Sequence, residues 1–343
     1  MKIKTKNLTA FLFLVTLMLG CSKNDDENPV PNQDIQIYVA GREFNGTKDV
    51  AKIWKNGVAT ELTDGAQNAW ATSVFVSSSD VYVAGWEYNG TKYVANVWKN
   101  GIVTHLTNGT QTAYANSVYV LEGDVYVAGY ESNGTKNVAK VWKNGVATDL
   151  TDGSQNAFAN SVFVSGSDVY VAGYEFNGTK YVAEVWKNGV ASHLTNGTQH
   201  ANVYSVYVSD GDVYASGREH NGSKYVAKVW KNGVATSLTD GTQNASAESV
   251  YVSDGDVYMA GFEYNGAKYV AKVWKNGVAT DLTNGAQTAY ATSVYVLGSD
   301  VYVAGSQFNG TKYAAEVWKN GTVTHLTNGT YAATTASVFV SGI

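Results

Sequence analysis

The element Trp-Lys-Asn-Gly recurs seven times, with its Trp at 54, 98, 142, 186, 230, 274 and 318. The spacing is 44 residues each time, without insertion or deletion, and Val precedes the Trp in all copies but the first, which has Ile53. A fixed period of this length requires a repeat architecture, in which each unit buries its faces against its neighbours.

One copy shows what the unit is. In the second, residues 73–76, 80–87, 91–99 and 102–106 alternate in the manner of strands and are punctuated by Asn89-Gly90 and Asn100-Gly101. Asn-Gly between such runs predicts tight hairpins. Four short antiparallel strands, here called a to d, describe a propeller blade. The content of 35 Gly, 24 Tyr and only 15% charged residues fits an all-β protein.

The copies test the register. A two-residue turn at Asn100-Gly101 sets Lys52 against Glu61, Asn96 against His105, Lys140 against Asp149, Glu184 against His193, Lys228 against Ser237, Lys272 against Asp281 and Glu316 against His325. No like-charged pair occurs, as cross-strand neighbours require. The same logic at Asn89-Gly90 sets Glu87 against Lys92 and Trp86 against Tyr93.

The first copy lacks strand a, and the missing strand stands at the far end, at 337–340. The expected fold is therefore a seven-bladed β-propeller over 35–343, its N-terminal blade completed by the C-terminal strand. The phrase Ser-Val-Tyr-Val-x-x-x-Asp-Val-Tyr-Val-Ala-Gly, as at 117–129, resembles the a–b hairpin of bacterial NHL-type and SBBP-type propeller repeats. The resemblance implies a fold and no particular ligand, because Val-Trp-Lys-Asn-Gly replaces what those families carry on strand c.

Residues 1–20 read as a signal segment. Lys2, Lys4 and Lys6 precede an apolar run over 8–19, too short for a comfortable membrane span. The run ends Leu-Gly20-Cys21, which resembles a bacterial lipobox with Met18 and Leu19 at relaxed positions. The resemblance implies cleavage before Cys21, lipidation of its thiol and a membrane anchor. Residues 21–34 then form a tether that holds both prolines and the acidic run Asp25-Asp26-Glu27, which resembles a surface-export signal. These resemblances imply a lipoprotein of the outer membrane that faces outward.

Catalytic chemistry is not evident. Repeated residues seldom converge on one point, and His105, His193 and His325 are each explained by a strand c partner. His200 and His220 have no nucleophile or second ligand beside them, so neither a metal nor a cofactor is expected. The Asp at 80, 124, 168, 212, 256 and 300 reads as a turn cap, and the Asn-Gly-Thr triplets read as hairpins. Cys21 is the only cysteine, which excludes an internal disulfide. A formal charge of −5, nearer −8 once Lys2, Lys4 and Lys6 are removed, disfavours nucleic acid.

The copies differ mainly on one face, made by the d–a connections and b–c hairpins. Three residues before the strand a Ser stand Trp70, Tyr114, Phe158, Asn202, Ser246, Tyr290 and Thr334. At the end of strand b stand Arg42, Trp86, Tyr130, Tyr174, Arg218, Phe262 and Ser306, and Tyr204 adjoins Asn202. Aromatic platforms beside the loop amides Gln67, Gln111, Gln155, Gln199, Gln243 and Gln287 suit a hydroxylated ligand or a protein surface. We therefore expect a monomeric, non-enzymatic binding module for a polysaccharide or surface protein, through Trp70, Trp86, Tyr114, Tyr130, Phe158, Tyr174, Tyr204 and Tyr290. A protein scaffold is the second expectation. A hydrolase or lyase at the channel mouth, using Glu248, is the third.

Overall fold

The computed structural model describes residues 35–342. The signal segment 1–20, the tether 21–34 and lipidation at Cys21 lie outside the described residues. Within them the chain forms 28 strands in seven four-stranded antiparallel sheets, a β-propeller. Blade 1 combines Ala333–Gly342 as strand a with Ile35–Phe44, Asp49–Lys55 and Val58–Glu61 as b, c and d. Blades 2 to 7 each take a, b, c and d in chain order, as in blade 2, with Ala69–Ser77, Asp80–Tyr88, Tyr93–Lys99 and Ile102–His105. The expected closure is thus present, with Ile35 paired to Gly342.

The repeat tryptophans make the blades cohere. Each is no more than 1% exposed. Trp142 of blade 3 packs on Ala84, Ala95 and Val97 of blade 2, and Trp54 of blade 1 packs on Tyr302, Ala304 and Val317 of blade 7. The alanines opposite each indole are the small residues such close packing requires. Strand b also carries Gly85 at a place where a Cβ would lie 2.1 Å from the Trp70 carbonyl oxygen and 3.0 Å from the Trp98 ring.

The strands a line the axis, and a ring of hydrogen bonds links them. The Val118 amide donates to Ser73 Oγ at 3.2 Å, and the same bond runs from Val162 to Ser117, Val206 to Ser161, Val250 to Ser205, Val294 to Ser249, Val338 to Ser293 and Val74 to Ser337. One amide of every innermost strand is thereby satisfied by the preceding blade. Two residues further along, Phe75, Tyr119, Phe163, Tyr207, Tyr251, Tyr295 and Phe339 form a closed collar with centroids 4.7–5.0 Å apart.

All seven expected c–d pairs are found, from Lys52 opposite Glu61 to Glu316 opposite His325. Two expectations need correction. The b–c connection is a four-residue loop in which Asn89 N–H donates to the Lys92 carbonyl and Asn89 Oδ1 accepts from Thr91 and Lys92. Glu87 therefore stands opposite Val94, and Trp86 opposite Ala95. The slip is two residues, which keeps every side chain on its expected face. Strand a is also longer than 73–76, because it continues through a bulge between Ala71 and Ser73.

Two stability predictions follow from the ring and the indoles. Trp230→Ala should destabilise the propeller by about 3–5 kcal/mol in urea unfolding. Ser205→Ala, which leaves the Val250 amide without its partner, should cost about 1 kcal/mol; a neutral result would deny the ring a role in stability.

Candidate binding face

The longer strand a carries most of the expected site residues. Trp70, Tyr114, Phe158 and Tyr290 lie on strand a itself, not in the d–a loop, and each pairs directly with a strand b residue: Trp86, Tyr130, Tyr174 and Ser306. The loops and hairpins do share this face, since the Tyr88 amide of the hairpin donates to the Asn68 carbonyl of the loop.

Contacts between blades join these pairs into a girdle. Arg42 lies 4.1 Å over Trp70, Trp70 meets Trp86 edge-on at 6.0 Å, and Trp86 meets Tyr114 at 5.4 Å. The series continues through Tyr114–Tyr130 at 5.0 Å, Tyr130–Phe158 at 4.8 Å and Phe158–Tyr174 at 5.1 Å. The Trp70–Trp86, Trp86–Tyr114 and Tyr130–Phe158 contacts have the edge-to-face geometry that ring quadrupoles favour, while the other two are tilted. All these rings are half-buried, so each gives part of its surface to a neighbour and keeps part free. Tyr290 belongs to a separate, shorter arc with Phe262, at 4.8 Å.

The aromatic arc ends at a polar notch in blades 5 and 6, where Asn202 pairs with Arg218 and Ser246 occupies the next strand a position. The bulge residues explain why the notch differs. In blades 2, 3 and 4 the bulge side chains Thr72, Asn116 and Asn160 donate to the carbonyls of Ala115, Ala159 and Val203 in the next blade. In blades 5 and 6 the bulge residues are Tyr204 and Glu248, which make no such bridge. Tyr204, placed by sequence among the platform residues, instead lies 5.6 Å under the Arg218 guanidinium, which also covers Tyr225 at 4.3 Å.

The notch holds opposite charges in a confined space. Ser246 Oγ donates to the Glu248 carboxylate, and the Arg218 Nε is buried without a partner. Burial raises the Glu248 carboxyl, against the pull of the Ser246 bond and the Arg218 charge. Burial likewise raises the Tyr204 hydroxyl, with the Glu248 charge adding to it, and lifts Tyr174 to about 12. Sequence reasoning singled out Glu248 without finding Arg218 and Ser246 beside it; the signal was two successive blades, at Asn202 and Ser246, departing from the aromatic series. It also missed Tyr331, which fills the Gln position of the seventh loop and packs on Phe44 at 6.4 Å.

The two single-copy histidines and the repeated aspartates have structural partners. His200 Nδ1 accepts the Tyr181 amide and His220 Nδ1 the Gly222 amide. On the opposite face, Asp80 binds Lys99 at 2.7 Å and Asn100, tying the a–b turn to the c–d turn, a link repeated at Asp124, Asp168, Asp212, Asp256 and Asp300. Among the described residues no three His, Cys, Asp or Glu are grouped to hold a metal ion.

No protein family matches the chain, and no curated protein is similar to it in sequence. Among solved structures it is similar to the Pyrococcus horikoshii acylaminoacyl peptidase, with a TM-score of 0.50 at 11% identity over 86% of this chain and 51% of the peptidase. TolB from Acinetobacter baumannii aligns with a TM-score of 0.47 at 10% identity over 73% of this chain and 64% of TolB. Kuenenia stuttgartiensis hydrazine synthase aligns with a TM-score of 0.45 at 11% identity over 88% of this chain and 47% of that one. The chain spans about half the length of the peptidase, and the likeness is one of fold.

Removing the Arg218 charge should push the Glu248 titration midpoint further up. Carboxyl NMR of Arg218→Met against the parent chain measures this, and an unchanged midpoint would remove Arg218 from the notch's electrostatics.

Proposed function

We propose that this protein is a non-enzymatic surface lipoprotein of the outer membrane, anchored at Cys21, whose variable face binds a polysaccharide. The observation that carries the reading is the half-exposed arc from Trp70 to Tyr174, which runs unbroken across blades 2 to 4 and ends at the Arg218–Glu248 notch. A ring arc offers several stacking surfaces to successive sugars, and the notch offers donors and acceptors for hydroxyls at one end. The opposite face repeats its Asp–Lys–Asn links almost blade by blade and offers no comparable variety. The repeat chemistry supports placement beside the NHL- and SBBP-type propellers without carrying over any of their ligands.

Affinity electrophoresis through gels containing a panel of polysaccharides tests this. The parent chain should be retarded in one gel, and Trp70→Ala/Trp86→Ala should run freely while keeping its fold. Absence of retardation in every gel would sink the glycan reading and leave the face to a partner protein, to be sought by crosslinking on whole cells.

A further inference from the structure

The c–d pairs of blade 4 differ from those of its neighbours in a way that leaves a place unfilled. In four blades a strand c lysine reaches an acid on strand b, and in three of these an acid on strand d as well. Lys52 Nζ lies 2.8 Å from Glu43 and 3.3 Å from Glu61, and Lys272 Nζ lies 3.3 Å from Glu263 and 2.7 Å from Asp281. Lys140 does the same with Glu131 and Asp149, while Lys228 meets Glu219 alone. In blade 4 the lysine position is Glu184, the strand b acid remains as Glu175, and strand d supplies His193. His193 Nδ1 lies 2.7 Å from Glu184 Oε1, and the Glu184 side chain is only 2% exposed. Its other oxygen, Oε2, is buried with no partner. A groove of about 270 Å³ is lined by Glu175, Glu184, His193 and Asn196.

We propose that this groove binds a primary alkylammonium group from outside the chain, held between Glu175 and Glu184 where the sister blades place their own lysine. A buried carboxylate oxygen without a partner is costly, and an ammonium supplies the missing donor. The sister blades show that this part of the sheet accommodates an –NH₃⁺ group. Blade 7 offers a weaker version: Glu316 Oε2 is also unpartnered beside His325, but Gln307 replaces the strand b acid and removes one charge.

The electrostatics of the groove agree. Burial lifts the Glu184 carboxyl to about 7, with His193 pulling it down and the Glu175 charge pushing it up. Burial also raises Glu175, aided by the charge of Asp152 and opposed by His193. Near neutrality Glu184 is therefore partly protonated, and a bound ammonium displaces that proton, so binding strengthens as pH rises through 7.

The test is NMR of the whole chain titrated with methylammonium at pH 6 and pH 8. We expect saturable shifts at His193, Glu175 and Glu184, with binding about tenfold tighter at the higher pH. Glu184→Lys/His193→Asp rebuilds the triad of blade 6 inside blade 4; it should fold and show no response. Tighter binding of N-acetyl-lysine methylamide than of methylammonium would assign the site to a protein side chain, and equal binding to a free amine. The proposal is overturned by the absence of saturable shifts, by equal shifts with tetramethylammonium, which has no N–H, or by a response that persists in the double variant. It does not depend on the glycan-binding reading, which concerns other residues.

Discussion

The innermost strand of each blade presents an edge to the axis, and a serine hydroxyl from the blade before it accepts from one amide of that edge. Among these bonds, the one from Val74 to Ser337 ties the C-terminal strand to the second blade. Without a partner each edge would be a template for pairing with another chain. The serine and the valine after it are therefore kept in every copy while the residue before them varies, and the aromatic collar lies two residues beyond the serine. The indole of strand c does the equivalent work further out, filling the wedge between adjacent blades.

Seen in this light, the sequence was most legible where one physical demand recurs seven times. The 44-residue period, the late strand a and the c–d pairs all came from comparing copies, and each follows from local chemistry: Asn-Gly turns, alternation and opposite charge. The register of the b–c hairpin was misjudged because Asn89 uses its side chain to close a wider loop, an effect that a dipeptide signal does not carry. The bulge at residue 72 was equally hidden. It depends on Gly85 admitting a carbonyl at close range, a tertiary reason that alternation within one strand cannot reveal.

The candidate face was legible as a list of variable positions but not as an object. The series Trp70 to Thr334 and the series Arg42 to Ser306 turned out to be partners across a–b ladders, their rings gathered into one long arc and one short one. Flat platforms were expected, yet the rings stand edge to face between blades and tilted within blades 3 and 4, and each is partly spent on its neighbour. The notch shows the complementary point: Arg218, Ser246 and Glu248 belong to three separate columns, and only the folded blades bring them together.

The seam in blade 1 has a consequence for how the chain could be rearranged. Ile35 and Gly342 are neighbours in one sheet, so a short linker could join them and the chain could be opened in any d–a loop. Such a circular permutant would keep every interface, but its blades would all be built from consecutive strands. The interlock that now makes the last strand finish the first blade would be gone, and the ring would be held shut by side chains alone.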